Sequence, residues 1–203
     1  SDLVIGLTGP FGSGCSEMYK ILKYEFCFKA FKISDDIRKE VKRANKILAK
    51  GQKDWRKILQ EHGNKKRQKD KAYWINKLIT RIDRADIKNH DIVVDGFRNF
   101  QEVQEIRKKF PQFFLVAICA NKNERWERVK KDYNGNYNEF EADDQRDKNQ
   151  DIEWGQSVQK CVDDADYVFY NNSHLAIDVN GDTVADSTKI SRVLKEQANG
   201  TNS

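Results

Sequence analysis

The chain has 203 residues, enough for one sizeable hydrophobic core. Charged residues make up 34% of it, yet the formal net charge is only +5. That balance suits a protein that handles anions and makes nucleic acid an unexpected partner. Two prolines and the lack of any apolar stretch near 18 residues exclude long linkers and a membrane span from the expectation.

The apolar run Leu3-Val4-Ile5-Gly6-Leu7 predicts a first strand, and a helix is expected over 17–24. Between them lies Gly9-Pro10-Phe11-Gly12-Ser13-Gly14-Cys15-Ser16. This is the frame G-x-x-x-x-G-K-[ST] of a phosphate-binding loop, with Cys15 where lysine belongs. Glycines in that frame let successive backbone N–H groups wrap phosphate oxygens, and the helix N-terminus adds partial positive charge. Gly9, Gly12, Ser13, Gly14, Cys15 and Ser16 are therefore the candidate nucleotide-binding residues, with the Ser16 hydroxyl placed for a magnesium ion. Cys15 carries no charge to replace the lysine. A thiolate there would repel phosphate, so a neutral thiol is expected. Lys20, one turn on, is a candidate compensating charge.

Residues 28–33 read as a second strand and 37–50 as a helix stopped by Gly51. The segment Ser34-Asp35-Asp36-Ile37-Arg38 follows the second strand, so its polar side chains are expected at the ligand crevice. Arg38 suits an acceptor phosphate, and Asp35 or Asp36 a sugar or hydroxyl; Ser34 or Asp35 as a plain helix N-cap fits equally well. Helical patterns follow over 55–60 and 73–82. The lysine-rich stretch 65–69 reads as a solvated helix face.

Residues 92–94 form an expected strand ending in Asp95-Gly96-Phe97-Arg98. An aspartate there sits beside the loop, where it can hold magnesium through water or orient an acceptor, and Arg98 can fork onto a phosphate. Capping of the helix expected over 100–110 is the alternative for Asp95. Residues 113–120 are the most apolar strand, 123–131 a helix, and 167–170 a last core strand. An edge strand or hairpin over 175–179 and a helix over 188–197 close the chain. Strands alternating with helices predict an α/β fold with a central parallel sheet. The polar stretch 133–150 interrupts that alternation and reads as a long loop, the place for a closing lid. Arg125 and Arg128 share a helical face, and with Arg146 and Lys148 they are candidates for restoring the charge missing at position 15.

Four widely spaced cysteines without a C-x-x-C pair point to a reduced, cytoplasmic setting, and no cleavable leader is visible. The N-x-[ST] triplets at Asn171 and Asn199 then carry no glycosylation. His62, His90 and His174 show no metal-ligand spacing, and no zinc-deaminase signature occurs.

LVIGLTGPFGSGCS, FKISDDIRKE, VVDGFRN, FFLVAICANKNERWERV and ADYVFYNNS together resemble the landmarks of the P-loop nucleoside-monophosphate kinase group. The deoxynucleoside-monophosphate kinase and dephospho-coenzyme A kinase branch is the nearest likeness, covering about residues 3–173. Leu59 to Arg67, and Arg146-Asp147 followed by Gly155-Gln156-Ser157-Val158, resemble a narrower set, the P-loop domains that precede deoxycytidylate-deaminase-like domains. In that set too a cysteine can replace the loop lysine. The resemblance implies a three-layer P-loop NTPase fold over 1–203, with a helical monophosphate-binding insert near 34–82 and a lid near 131–157. It implies ATP and magnesium as cofactors, Ser16 and Asp95 at the metal, and Asp95, Arg98 and Arg125 in catalysis. Ser34, Asp35, Asp36, Arg38 and Arg98 would bind the acceptor nucleotide, and a deaminase-like domain is a candidate partner. A non-catalytic nucleotide sensor is the competing expectation, because Cys15 departs from the kinase pattern.

Overall fold

A computed structural model describes residues 3–44, 55–85, 87, 89–148, 155–172 and 175–177. Five strands, β1 (Val4–Thr8), β2 (Lys29–Lys32), β3 (Ile92–Asp95), β4 (Phe113–Cys119) and β5 (Tyr167–Asn172), run parallel. A short β6 (Leu175–Ile177) adds an antiparallel edge, giving the order β2-β3-β1-β4-β5-β6. Every residue of β1 is buried, as expected of a central strand covered on both faces.

Alternation along these strands sorts side chains between two apolar layers. On one face Val4, Ile92, Val94 and Leu115 pack with Trp74, Ile75, Leu78 and Ile106. On the other, Ile5, Leu7, Val93 and Val116 pack with Met18 and Leu22 of α1 (Cys15–Tyr24). The result is a three-layer α/β fold of the P-loop NTPase kind, with helices on both sides of the sheet.

Between β2 and β3 the chain forms α2 (Ser34–Ala44), α3 (Trp55–Lys69) and α4 (Tyr73–Arg84). The helix expected over 37–50 starts at Ser34, and its last residues and Gly51 lie outside the described residues. The helical pattern over 55–60 continues to Lys69, because Gln60, Gly63 and Arg67 form a buried stripe with almost no apolar signal. After β3 come α5 (Phe100–Lys109), β4 and α6 (Lys122–Val129). Two further helices were not expected, α7 (Tyr137–Lys148) and α8 (Val158–Asp163). The expectation of a loop over 133–150 is corrected: Tyr137 and Phe140 of α7 pack on Trp126 with ring centroids 5.2 and 5.4 Å apart. Strand β6 lies within the edge strand expected over 175–179; the closing helix over 188–197 lies outside the described residues.

Candidate active site

The loop between β1 and α1 is held in shape from three directions. Thr8 at its base donates its hydroxyl to Phe97 O at 2.7 Å, joining it to the end of β3. Gly9 has φ 151°, and a Cβ there would stand 2.1 Å from Ile118 O; at Gly12, with φ 76°, it would stand 2.7 Å from Arg125 O. The carbonyl edge is occupied by outside donors. Arg125 donates to Phe11 O at 3.2 Å, Arg128 to Gly12 O at 3.0 Å, and the Asn171 amide to Ser13 O at 2.9 Å. With that edge engaged, the amide edge and the start of α1 are what the loop offers an anion.

Cys15 opens α1, and its thiol donates to Thr8 O at 3.3 Å. Burial, followed by the nearby Asp95 charge, pushes this thiol up to about 12. Position 15 is therefore neutral at physiological pH and contributes no charge of either sign. Lys20 does not compensate: it pairs with Glu17 at 2.7 Å on the exposed face of α1 and is absent from the crevice lining.

A cavity of about 670 Å³ opens above the loop and reaches α2, α3 and the end of β3. Gly9, Gly12, Ser13, Gly14, Cys15 and Ser16 all line it, together with Asp95, Arg98, Ser34 and Arg38. Asp35 and Asp36 do not. Arg81 of α4 draws both away, with Nε 3.1 Å from Asp36 and Nη1 3.8 Å from Asp35, so the expected sugar or hydroxyl contact is replaced by helix packing. Arg38 donates to Ser34 Oγ at 3.1 Å and stays partly exposed in the crevice.

Arg125 is also corrected. It is 3% exposed and grips Asp144 of α7 with two hydrogen bonds, 2.6 and 3.1 Å, rather than facing the cavity. Arg146 and Lys148 are likewise engaged within α7, by Asp143 and Asp144. Arg128 alone of the four basic candidates lines the crevice.

Several lining residues escaped the reading of the chain. Lys32 at the end of β2 sits opposite Asp95 in the parallel register, its Nζ 3.2 Å from the carboxylate and 4.4 Å from the Tyr19 ring centroid. Arg56 lies on the Phe11 ring at 5.1 Å, beside the expected Arg98 at 4.4 Å. Gln60, Arg67, Trp55 and Gln156 also line the cavity. The periodicity of α3 could have exposed Gln60 and Arg67 as one face, at i and i+7; nothing in the sequence singled out Lys32.

Six cations line the cavity, Lys32, Arg38, Arg56, Arg67, Arg98 and Arg128, against the three carboxylates Glu17, Asp95 and Asp132. That excess suits a polyphosphate. Among the described residues no three His, Cys, Asp or Glu side chains converge on a metal position. Ser16 and Asp95, lining one cavity, fit a magnesium ion that keeps most of its shell as water. Among the described residues no helix is long and apolar enough to cross a membrane.

The solved structure of an uncharacterized protein from Eubacterium ventriosum superposes with a TM-score of 0.53 at 12% identity, covering 98% of this chain and 99% of that one. TT1252 from Thermus thermophilus gives 0.53 at 16% identity, covering 85% and 90%. These likenesses concern the fold. In sequence, a UPF0200 protein of Methanocaldococcus jannaschii is 30% identical over 176 residues, 83% of this chain and 81% of its own length. Another UPF0200 protein, from Methanothermobacter thermautotrophicus, is 25% identical over the same shares. The AAA domain family matches residues 5–149. With the phosphate-binding loop at the head of a parallel sheet, the chain belongs to the AAA domain family of P-loop NTPases and has UPF0200 proteins as relatives.

Proposed function

We propose that the protein transfers the γ-phosphoryl group of ATP to a nucleoside or deoxynucleoside monophosphate, or to a related nucleotide. The observation that carries this reading is the single cavity shared by the phosphate-binding loop and by Ser34, Arg38 and Arg98. A pure nucleotide-binding switch needs only the first of these two ends. An acceptor oxygen attacks the γ-phosphorus as the bond to the β-bridging oxygen breaks, a reaction that depends on positioning and charge stabilisation. The loop amides would hold the donor phosphates. Arg38 and Arg98 would orient the acceptor phosphate, and α7 would exclude water as the lid. Magnesium, when bound, neutralises charge on the terminal phosphates, and Ser16 and Asp95 are the residues that would hold it. Arg125 acts here as a positioning residue that ties the lid helix to the loop.

A second reading rests on Cys15 and on the carboxylate already held by Arg98: a nucleotide sensor that binds ATP without turnover. A coupled assay of ADP release, run with a panel of monophosphates and dephospho-coenzyme A, separates the two. Turnover with one acceptor supports the kinase. ATP binding by calorimetry with no turnover across the panel sinks the kinase and leaves the sensor.

A further inference from the structure

Loop amides and a helix N-terminus offer a phosphate only partial charges. The missing lysine therefore leaves a full positive charge to be found elsewhere in the crevice. Of the six lining cations, Arg67 is locked in a buried pair with Glu102, and Arg98 is already engaged by the buried Asp147 carboxylate and assigned above to the acceptor phosphate. Arg56 is held by Asp132 at 3.0 Å, and Arg128 spends its guanidinium on the loop carbonyls and Asn171 O. Arg38 lies at the acceptor end on α2.

Lys32 is different in kind and in place. Its ammonium sits over the ring of Tyr19, which lies one turn beyond Cys15 on the same face of α1. It is thus stationed beside the helix whose first residue should have carried the lysine. Among the described residues its ion-pair partner is Asp95, at 3.2 Å, and both side chains are partly open, 26% and 13% exposed. An ammonium is a compact charge with rotatable donors, able to turn from a carboxylate to an entering phosphate without the planar constraint of a guanidinium. Magnesium binding at Asp95 would release it further. We propose that Lys32, reaching in from the end of β2, supplies the full positive charge that position 15 lacks and contacts the phosphates of a bound nucleoside triphosphate. This rests on the nucleotide-binding reading above and adds to it a relocated lysine.

The test is a charge exchange read by MgATP affinity in calorimetry. Lys32→Met should weaken binding on the order of 10- to 100-fold, the worth of one charged hydrogen bond. Its melting temperature should stay near that of the wild type, since the Lys32–Asp95 pair is partly solvated. Adding Cys15→Lys to Lys32→Met should restore most of the lost affinity by returning the charge to the loop. Wild-type affinity in Lys32→Met, or a folded double variant as weak as the single one, overturns the proposal. A measurement on the unaltered protein guards against misfolding: saturating MgATP should protect Lys32 from amine acylation, mapped by mass spectrometry, while Lys20 stays reactive. Equal labelling of Lys32 with and without MgATP, in a protein that binds it, also overturns the proposal. A wild type that fails to bind MgATP overturns the nucleotide reading itself, a distinct result.

Discussion

Arg98 and Asp147 form an ion pair in which the carboxylate is wholly buried and the guanidinium lies on Phe11 of the phosphate-binding loop. Gln60 donates to the same carboxylate at 3.3 Å. The arginine proposed to hold an acceptor phosphate thus already holds an anion, supplied by α7. An entering phosphate has to displace it, so the pair sets a threshold for binding.

Asp147→Asn should tighten binding of a nucleoside monophosphate several-fold, measured by calorimetry, because Arg98 loses its internal competitor. Removing one partner of a buried pair costs about 3 kcal/mol, a drop of roughly 6–12 °C in melting temperature for a chain this size. Unchanged or weaker monophosphate binding in a folded variant would show that Arg98 does not serve the acceptor.

A second cluster ties the three helices between β2 and β3 together. Glu40 of α2 accepts from Tyr73 Oη at 2.6 Å and from Lys77 of α4, and lies 3.1 Å from His62 Nε2 of α3. Burial alone would raise its carboxyl, but the hydrogen bonds from Lys77, Tyr73 and His62 outweigh that and hold it at about 2. A carboxyl depressed in the folded state stabilises fully above its unfolded value of about 4.5 and loses that contribution as pH falls toward about 2. Denaturant titrations of wild type and Glu40→Gln should therefore differ by a constant amount above about pH 5, with the gap narrowing below that and closing only as the pH falls through about 2. A gap that persists undiminished into acid would remove Glu40 from the acid response.

The thiols should divide by burial. Cys15 and Cys161 are both pushed up to about 12, chiefly by burial, whereas Cys27 is exposed. Iodoacetamide at pH 8 should modify Cys27 first, with Cys15 and Cys161 at least tenfold slower by mass spectrometry, since the thiolate is the reactive form. Rapid modification of Cys15 would contradict a neutral thiol in the loop.

Where side-chain chemistry matched the periodic apolar code, the chain was legible. Strands β1, β3 and β4 and the loop between β1 and α1 were read from Leu3 to Ser16, Ile92 to Asp95 and Phe113 to Ala120. Helix α7 was not, because the face it buries is written in acids. Phe140 is followed at helical spacing by Asp143, Asp144 and Asp147, all buried, so polarity there signals partners rather than solvent. The same blindness hid Arg67, 2% exposed against Glu102. It also turned Arg125 into an expected phosphate ligand. The spacing shows that a charge is present on a helix face, and only the folded chain shows which opposite charge claims it.

Arg125 and Asp144 provide the last test, because they join α6, α7 and the loop at one point. Arg125 binds Asp144 through Nη1 and Nη2 and also donates from Nη1 to Phe11 O and from Nε to Ala120 O, at 3.2 Å each. A double-mutant cycle with Arg125→Ala and Asp144→Ala should give a coupling of about 2–3 kcal/mol in urea unfolding, as for other buried charged pairs. Either single variant should also loosen α7, shifting the emission of Trp126, which packs on Phe140 at 5.4 Å. Because the loop hangs on the same guanidinium, Arg125→Ala should weaken ATP binding more than Asp144→Ala does. Equal losses would mean that α7, not the Phe11 carbonyl contact, carries the effect of Arg125 on the nucleotide.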